Sequence, residues 1–389
     1  MAGTAFARRS NATTSSPPSF ILNEAVKSDW PWCAAFLPFD MPAARSSLAG
    51  ACEKYLIVSL GSIGRRHLAN LRKLCPDARI GVLRLHATDT GAAVPTGADH
   101  QFFSLSEALA FAPSAAIVAG PASTHVDVAT ALAAAGIALL VEKPIAHTSA
   151  GLASLLATSS QANIPLMVGY NLRFLPSLVE CKKLLDAGAI GRVRGVRAEV
   201  GQYLPDWRPG TRYQENVSAR RELGGGALLE LSHEIDYLYW MFGMPSRVSA
   251  RGGRYSELEI DVEDMVELCL EYEDPARLVN IHLDFLQRSP ARSCKFIGDQ
   301  GTLVWNGITD KIDVYSVAEG AWRHIDSHAQ ADRNGMYLAE LRHFLDCARR
   351  REPALCDGVQ GYDVLAIVEA ARASMAHGAA VAVHGYAGT

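Results

Sequence analysis

Two residues far apart in the chain, Lys143 and His233, have side chains suited to the chemistry of a hydroxyl group. His233 follows three glycines, Gly224–Gly226, and lies in an apolar helical pattern. An imidazole here is suited to take a proton from a hydroxyl near neutral pH, and Glu230, one turn earlier, is suited to orient it. Lys143 ends an apolar run, and a cation beside a reacting hydroxyl stabilises alkoxide character. The plainer alternatives are a solvated helix face and a solvated lysine.

A glycine turn provides a third candidate site. The apolar run Tyr55–Val58 precedes it, and leucines at helical spacing follow it, which predicts the first half of a βαβ unit. The N-terminus of the following helix is suited to bind the pyrophosphate of a dinucleotide. The usual G-x-G-x-x-G pattern has a glycine where Ser59 stands, so either the turn opens or Ser59 takes the glycine conformation. An ordinary strand-to-helix turn is the alternative. The turn residues are Gly61, Ser62, Ile63 and Gly64.

The identity of the dinucleotide depends on the end of the second strand, predicted over Arg79–Leu85. An NAD site has an acid about 20 residues after the glycines, which binds the ribose 2′-hydroxyl. Arg84 stands there instead and suits a 2′-phosphate, so NADP is favoured over NAD. Alternatively, Arg84 is an ordinary surface residue and the cofactor is NAD.

Three further short apolar runs alternate with helical patterns, which predicts a parallel sheet. Ligands bind at the carboxyl ends of such strands, so we expect Pro121, His125 and Glu142, which follow or end two of them, to contact the cofactor. The runs are Ala115–Ala119, Ala138–Val141 and Leu166–Val168.

The second half of the chain has strand-like runs without intervening helices, which predicts an α+β domain with a mostly antiparallel sheet. We therefore expect a nucleotide-binding α/β domain at 51–170 and a substrate-binding and oligomerisation domain at 171–389, with C-terminal helices. Residues 1–50 are expected to be a disordered extension, and Met41 offers an alternative start. The predicted strands are Arg192–Val200, Met265–Tyr272, Leu278–Leu286, Ser293–Ile297 and Thr302–Trp305, and the C-terminal helices are Met336–Arg349 and Gly361–Ala376.

Substrate contacts are expected from two places. Asn171 and Arg173 follow the last parallel strand and are suited to hydrogen-bond a polyol. The loop Gly201–Leu223 is long, as binding loops often are, and contains Trp207, Arg208 and three further arginines. Arginines with a tryptophan suit an anionic sugar, whereas the alternative is a solvated surface loop.

Composition limits the other partners. Apolar residues make up 49% and charged residues 20% of 389 residues, and the net charge of −4 argues against nucleic acid. No apolar run approaches the roughly 20 residues that cross a bilayer. Eight cysteines lack C-x-x-C or zinc spacing, so we expect reduced thiols in a cytoplasmic protein and no metal site. The acids Asp261, Glu263 and Asp264 are read as a turn or sheet edge.

Several motifs together resemble the Gfo/Idh/MocA family of sugar and polyol oxidoreductases. The resemblance implies that Lys143 contacts nicotinamide and substrate, and that another subunit covers the open sheet, giving a homodimer or homotetramer. One departure concerns Glu230, which lies three residues before His233, whereas the family has an Asp four residues before. The motifs are Gly61–His67, Pro121–His125, Glu142–Pro144, Gly169–Arg173, Gly224–Asp236 and Gly298–Leu303.

These observations predict an NAD(P)-dependent oxidoreductase acting on a sugar-like secondary alcohol, with His233 as acid/base and Lys143 as its electrostatic partner. Two alternatives remain open. One is a glycosidase of the same family that keeps NAD bound. The other is a non-catalytic sensor that binds NAD(P) and a partner protein.

Overall fold

The computed structural model describes residues 53–85, 93–326 and 333–388, and the predicted N-terminal extension lies outside these ranges. Six strands of the described residues form the first sheet: β1 (Lys54–Val58), β2 (Arg79–Leu83), β3 (His100–Phe102), β4 (Ala115–Val118), β5 (Ala138–Glu142) and β6 (Leu166–Gly169). All pairs are parallel, and the order is β3-β2-β1-β4-β5-β6. The predicted α/β class is confirmed.

The sequence explains why this sheet is parallel and central. In β4 and β5 every residue is buried, so both faces of these strands are covered by other elements. The strand order reverses between β1 and β4, and the crevice at such a point is where α/β sheets bind ligands. The helices in this part of the chain are α1 (Ser62–Leu74), α2 (Leu105–Ala110), α3 (His125–Ala134), α4 (Leu152–Gln161) and α5 (Pro176–Asp186).

The second sheet contains nine strands of the described residues: β7 (Val193–Gly201), β8 (Arg247–Gly253), β9 (Met265–Glu273), β10 (Ala276–Asp284), β11 (Ala291–Gly298), β12 (Gly301–Asn306), β13 (Lys311–Ser316), β14 (Ala321–Asp326) and β15 (Val381–Ala382). Their order is β14-β13-β12-β11-β7-β10-β9-β8-β15, and β7–β10 is the parallel pair among antiparallel ones. This mostly antiparallel sheet confirms the expected second fold class.

The second sheet has one buried face and one exposed face. Along β7 the buried residues Val196, Ala198 and Val200 alternate with the exposed Arg197 and half-buried Glu199. This period-two burial is what the sequence alternation predicted for a half-buried strand. The inner face packs against helices, and the outer face carries polar side chains with scattered apolar ones.

Four helices complete the described part of the chain: α6 (Ala227–Glu230), α7 (His233–Phe242), α8 (Gly335–Arg350) and α9 (Gly358–His377). Helix α8 returns to the first sheet, where Leu341 and Phe344 join the core formed with Leu68 and Leu71 of α1. The boundary expected at residue 170 therefore separates the two sheets but not the helices that cover them. Within the described residues, no helix combines the length and apolar character that crossing a membrane requires.

Candidate active site

The glycine turn after β1 has the conformation that the sequence left open. Ser59 has a φ of 74°, so it takes the left-handed conformation of the missing first glycine. A Cβ on Gly64 would lie 2.1 Å from the Ser59 carbonyl oxygen, so Gly64 is required for close packing of α1 on the strand end. Around Gly61, by contrast, no atom lies within 4 Å of where a Cβ would be, which leaves space beside the turn.

The N-terminus of α1 is free to bind an anion. Its first turn contains no acidic residue, and Gly61 at the N-cap provides no side-chain hydrogen bond. The first backbone N–H groups of a helix lack partners within the helix and attract negative charge. The turn residues Gly61 to Gly64 therefore fit the pyrophosphate of a dinucleotide.

Arg84 directly follows β2 and is half-buried. Its backbone N–H donates to the Phe102 carbonyl oxygen, 2.9 Å away, which continues the pairing with β3. The chain from 86 to 92 lies outside the described residues. The structure thus places Arg84 at the strand end where the sequence predicted a contact with the cofactor ribose.

His125 is buried, and its expected contact with the cofactor stays a prediction. Its Nδ1 lies 3.0 Å from the Pro144 carbonyl oxygen, and its Nε2 lies 2.9 Å from the Gly120 carbonyl oxygen. Both carbonyls are acceptors and a neutral imidazole has one N–H, so the ring donates to one of them at a time. His125 thereby joins the turn after β4, where Pro121 lies, to the turn after β5.

Glu142 ends β5, and its expected contact with the cofactor likewise stays a prediction. Its Oε1 lies 2.6 Å from His67 Nε2, and its Oε2 accepts a hydrogen bond of 3.2 Å from the Lys143 backbone N–H. The carboxylate is almost fully buried. Its two oxygens therefore contact His67 of α1 and the backbone of the neighbouring lysine.

Lys143 contacts the segment that directly precedes the His233 helix. Lys143 Nζ donates a 2.7 Å hydrogen bond to the carbonyl oxygen of Glu230, and Glu230 is the last residue of α6. His233 begins α7, and its Nδ1 is buried without a hydrogen-bond partner in the described residues. The ring of Tyr170 contacts His233 edge-on at 5.6 Å between centroids.

The electrostatics around His233 favour its neutral form. Burial is the largest cause that holds the pKa of His233 well below 6.5, and the charges of Lys143 and Arg292 lower the pKa further. Arg292 Nε lies 2.9 Å from Glu234 Oε1, so this second cation is paired with a buried carboxylate. A neutral imidazole with an open nitrogen is suited to accept a proton at neutral pH.

The prediction that Glu230 lies one helical turn before His233 is wrong. The helix breaks at Leu231 and Ser232, so Glu230 is not stacked below His233. Glu230 Oε2 instead accepts a 2.7 Å hydrogen bond from the Ser218 hydroxyl.

The glycines before α6 allow another segment of the chain to approach closely. Gly226 has a φ of 108°, and a Cβ there would lie 2.4 Å from Glu263 Oε1. Glu263 in turn accepts hydrogen bonds from the backbone of this segment, at Leu228 N–H to its side chain and Ala227 N–H to its carbonyl. The glycines therefore let α6 dock against the turn that precedes β9.

Arg173 is paired within the protein, and its expected contact with substrate stays a prediction. Its guanidinium is buried and forms hydrogen bonds of 2.7 to 3.1 Å with both carboxylate oxygens of Asp236. It also donates to the Leu355 carbonyl oxygen and to Gln360. The neighbouring Asn171 is buried as well and shares a side-chain hydrogen bond with Tyr337.

The loop that follows β7 folds into short 3₁₀ turns, and most of its arginines are already paired. Arg212 pairs with Glu215, Arg220 pairs with Glu222, and Arg221 donates to the Asp261 carbonyl oxygen. Trp207 donates its indole N–H to the Gln202 carbonyl oxygen and packs edge-on against Phe285, while Arg208 is half-buried.

Two family models match the chain. The N-terminal model, an oxidoreductase NAD-binding Rossmann fold, covers residues 54–170, and the C-terminal alpha/beta model of the same oxidoreductase family covers residues 182–383. This protein belongs to the Gfo/Idh/MocA oxidoreductase family. The two models meet between the last parallel strand and the start of the second sheet.

Individual Gfo/Idh/MocA relatives are more distant. The chain is 32% identical to trans-1,2-dihydrobenzene-1,2-diol dehydrogenase of Xenopus tropicalis over 40% of the chain and 44% of that protein. It is 28% identical to levoglucosan dehydrogenase of Pseudarthrobacter phenanthrenivorans over 56% and 59%, so these two matches span about half of each relative. Inositol 2-dehydrogenase 2 of Saccharopolyspora erythraea is 25% identical over 84% and 94%.

Solved Gfo/Idh/MocA structures share the fold. Levoglucosan dehydrogenase in complex with NADH superposes with a TM-score of 0.77 at 20% identity, covering 86% of this chain and all of that one. The WlbA dehydrogenase of Bordetella pertussis in complex with NADH and UDP-GlcNAcA gives 0.71 at 23% identity, covering 86% and 99%.

Sequence reasoning missed two participants in this Gfo/Idh/MocA site. The charge of Arg292 on β11 acts on His233, and Tyr170 contacts its ring from the end of β6. Tyr170 lies beside the Asn171–Arg173 motif, so its position was a usable signal. Arg292 lies 59 residues after the histidine, and no spacing rule connects the two.

Proposed function

We propose that this protein is an NAD(P)-dependent oxidoreductase that transfers a hydride between nicotinamide and a secondary hydroxyl or keto group of a sugar-like substrate. The observation that carries the proposal is that Lys143 binds the chain three positions before His233. Lys143 and His233 lie 90 positions apart, yet the lysine binds the last residue of α6 while its charge lowers the pKa of the imidazole.

The proposed roles follow from the two side chains. Neutral His233 takes the hydroxyl proton during oxidation and returns it during reduction. The Lys143 ammonium stabilises the negative charge that develops on the substrate oxygen. The backbone of Gly61 to Gly64 holds the pyrophosphate at the N-terminus of α1. A bound nicotinamide supplies the hydride acceptor or donor.

A substrate panel tests the proposal. Purified protein is incubated with NAD or NADP and a set of sugars, polyols, sugar acids and nucleotide-sugars, and the absorbance of reduced nicotinamide is followed. We expect turnover with at least one class, strongly reduced in Lys143→Ala and unchanged in His324→Ala, since His324 is exposed on β14. Glycosidic cleavage without added cofactor would instead identify the glycosidase alternative. Cofactor binding without any turnover would identify the sensor.

For the cofactor, we favour NADP over NAD. The support is Arg84 at the end of β2, where an acid would bind the 2′-hydroxyl and repel a 2′-phosphate. The two solved relatives described above are complexes with NADH, so NAD is the cofactor against which NADP should be compared. Fluorescence titration should give tighter binding of NADP, and Arg84→Asp should reverse the order. Tighter binding of NAD to the native protein would contradict this preference.

For the substrate, we favour an anionic sugar: acidic, phosphorylated or nucleotide-linked. Arg212 and Arg220 of the loop pair with neighbouring acids, so these two arginines no longer support an anionic substrate. The support therefore rests on Arg208 and on Lys143, whose charge acts on the imidazole. Arg208→Ala should raise KM more than it lowers kcat, while the matched control Arg212→Ala should change neither. A neutral sugar that is used equally well at all salt concentrations would contradict an anionic substrate.

Two further expectations concern the setting of the enzyme. We propose a homodimer or homotetramer, since apolar side chains lie on the outer face of the second sheet. We also propose that the enzyme works in the cytoplasm. The six cysteines in the described residues are all unpaired, as expected in a reducing compartment.

A further inference from the structure

Where α8 packs on the first sheet, three buried side chains bring two carboxyl groups and an imidazole together. His67 of α1, Glu142 at the end of β5 and Glu340 of α8 each place one nitrogen or oxygen within 4.8 Å of the other two. Glu340 is fully buried, and neither of its carboxyl oxygens has a hydrogen-bond partner in the described residues. A buried carboxylate without a partner is costly, so this group requires either a proton or a cation.

The charges around Glu340 disfavour its ionised form. Burial is the main cause that raises the pKa of Glu340 well above 4.5, and the negative charges of Glu142 and Asp236 raise the pKa further. Arg173 cannot compensate, because its guanidinium is already bound to Asp236. The titratable and charged groups that face this site from the packed elements are Arg66, His67, Glu142, Arg173, Asp236, Tyr337 and Cys356.

The distances in this cluster distinguish a protonated Glu340 from a bound metal ion. His67 Nε2 and Glu142 Oε1 are 2.6 Å apart, which is a hydrogen-bond distance. Two ligands of one tetrahedral zinc ion would lie roughly 3.3 Å apart, given metal–ligand distances of about 2.0 to 2.2 Å. The contact therefore fits a hydrogen-bonded pair, which leaves Glu340 to be neutralised by its own proton.

We propose that Glu340 is a positioning residue, held as a neutral carboxylic acid beside Glu142, that fixes the backbone of Lys143. Glu142 Oε1 faces His67, and Glu142 Oε2 accepts the Lys143 backbone N–H at 3.2 Å. An ionised Glu340 would repel Glu142 and displace the lysine turn. The kinetic part of this inference rests on the proposed oxidoreductase function, whereas the protonation state does not.

The protonation state is tested without any activity assay. Gln has the shape of a neutral Glu but cannot ionise, so Glu340→Gln should remove a protonated-carboxyl C=O band from the infrared difference spectrum at neutral pH. Its folded-state pKa is raised, so native Glu340 contributes stability below its unfolded pKa near 4.5 that is lost as pH rises. The Tm of Glu340→Gln should therefore rise relative to the native Tm between about pH 4.5 and 8.

Kinetics then test the positioning role. Glu340→Leu removes the carboxyl group that packs near Glu142, so the lysine turn should shift and misplace the ammonium. We expect kcat to fall by about 10- to 10²-fold with cofactor affinity nearly unchanged. Glu340→Gln keeps a neutral group of the same shape and should lose less. If ionisation of Glu340 lowers the kcat of the native enzyme at alkaline pH, the Gln variant should not show that decline.

Three results would overturn the proposal. Loss of a carboxylate band rather than a protonated one in Glu340→Gln would show that Glu340 is ionised. A stoichiometric divalent metal in the native protein, absent from Glu340→Gln, would assign the cluster to a metal. Equal kcat in native, Gln and Leu variants of an active enzyme would remove the positioning role, while inactivity of the native enzyme on every substrate would count against the proposed function alone.

Discussion

At the scale of single residues, the position of His233 predicts its contribution to turnover. His233→Ala should lower kcat by about 10²- to 10⁴-fold, the usual effect of removing a general acid or base. Cofactor affinity should stay near native, because the imidazole lies at the start of α7 and the glycine turn lies after β1. Rapid-mixing kinetics with separate cofactor titrations would measure both effects. Retained turnover, or a loss confined to cofactor binding, would contradict the assignment.

The same residue predicts a pH dependence. Burial, followed by the charges of Lys143 and Arg292, lowers the pKa of His233 well below 6.5. A base works only when neutral, so kcat/KM for oxidation should fall as pH drops through this lowered pKa and stay level from about pH 6.5 towards neutrality. A profile of kcat/KM against pH would show this. An acid limb centred at or above pH 6.5 would mean that the imidazole is not held neutral.

Ser59 makes a testable prediction about the glycine turn. A residue other than glycine in the left-handed conformation costs about 1 to 2 kcal/mol, whereas glycine costs about 0.5 to 1 kcal/mol through the unfolded chain. Ser59→Gly should therefore leave the free energy of unfolding unchanged or raise it by up to about 1 kcal/mol. Ser154→Gly, in the exposed face of α4, should lower it instead. Urea denaturation of both variants measures the free energy of unfolding. A clear destabilisation by Ser59→Gly would contradict the left-handed strain assigned to Ser59.

Residue types predicted what chemistry a side chain is suited to better than they predicted which residues it contacts. Lys143 and His233 were recognised because their side chains suit hydroxyl chemistry and their positions follow strand or glycine signals. The pairing of Arg173 was not predicted because its partner Asp236 lies 63 positions away, and no local pattern reveals such a pair. The partners of His125 were not predicted for the same reason, since only the folded chain brings the Gly120 and Pro144 carbonyls near its ring.

At the scale of elements, apolar periodicity predicted most strands and helices to within a few residues. The α6–α7 region is the clearest failure: one apolar stripe fits a continuous helix, but the chain breaks at Leu231 and Ser232. The break places the Glu230 carbonyl where Lys143 binds it. Because this contact forms between distant segments, helical periodicity alone could not predict it.

The ion pair between Arg173 and Asp236 joins the turn after β6 to α7, and it predicts a large stability effect. Asp236→Ala leaves a buried guanidinium without its carboxylate, so the free energy of unfolding should fall by about 3 to 5 kcal/mol. Asp186→Ala removes an exposed pair with Lys182 within α5 and should cost less than about 1 kcal/mol. Denaturant titration of both variants measures the contrast. Similar small losses in both would mean that the buried pair does not hold the two elements together.

At the scale of the whole molecule, the proposed catalytic pair depends on both sheets at once. Lys143 extends from the first sheet, and His233 belongs to the helix that packs on the second. Helix α8 then returns from the second sheet to the first and brings Glu340 to the lysine turn. The sequence predicted an α/β domain followed by an α+β domain, but it did not predict that α8 packs on the first sheet. An amphipathic pattern does not reveal which core a helix joins.

The outer face of the second sheet predicts the assembly. Leu278 and Ile297 flank Gly195 in register across β10, β7 and β11, and they remain 48% and 38% exposed. Adjacent apolar side chains on an open sheet face favour burial against a second copy. Leu278→Glu combined with Ile297→Glu should therefore convert a dimer or tetramer to smaller species in light scattering, because opposed carboxylates repel and resist burial. Val94→Glu, an equally exposed apolar site outside that sheet, should leave the mass unchanged. A native protein that is already monomeric at micromolar concentration would show that this face meets water.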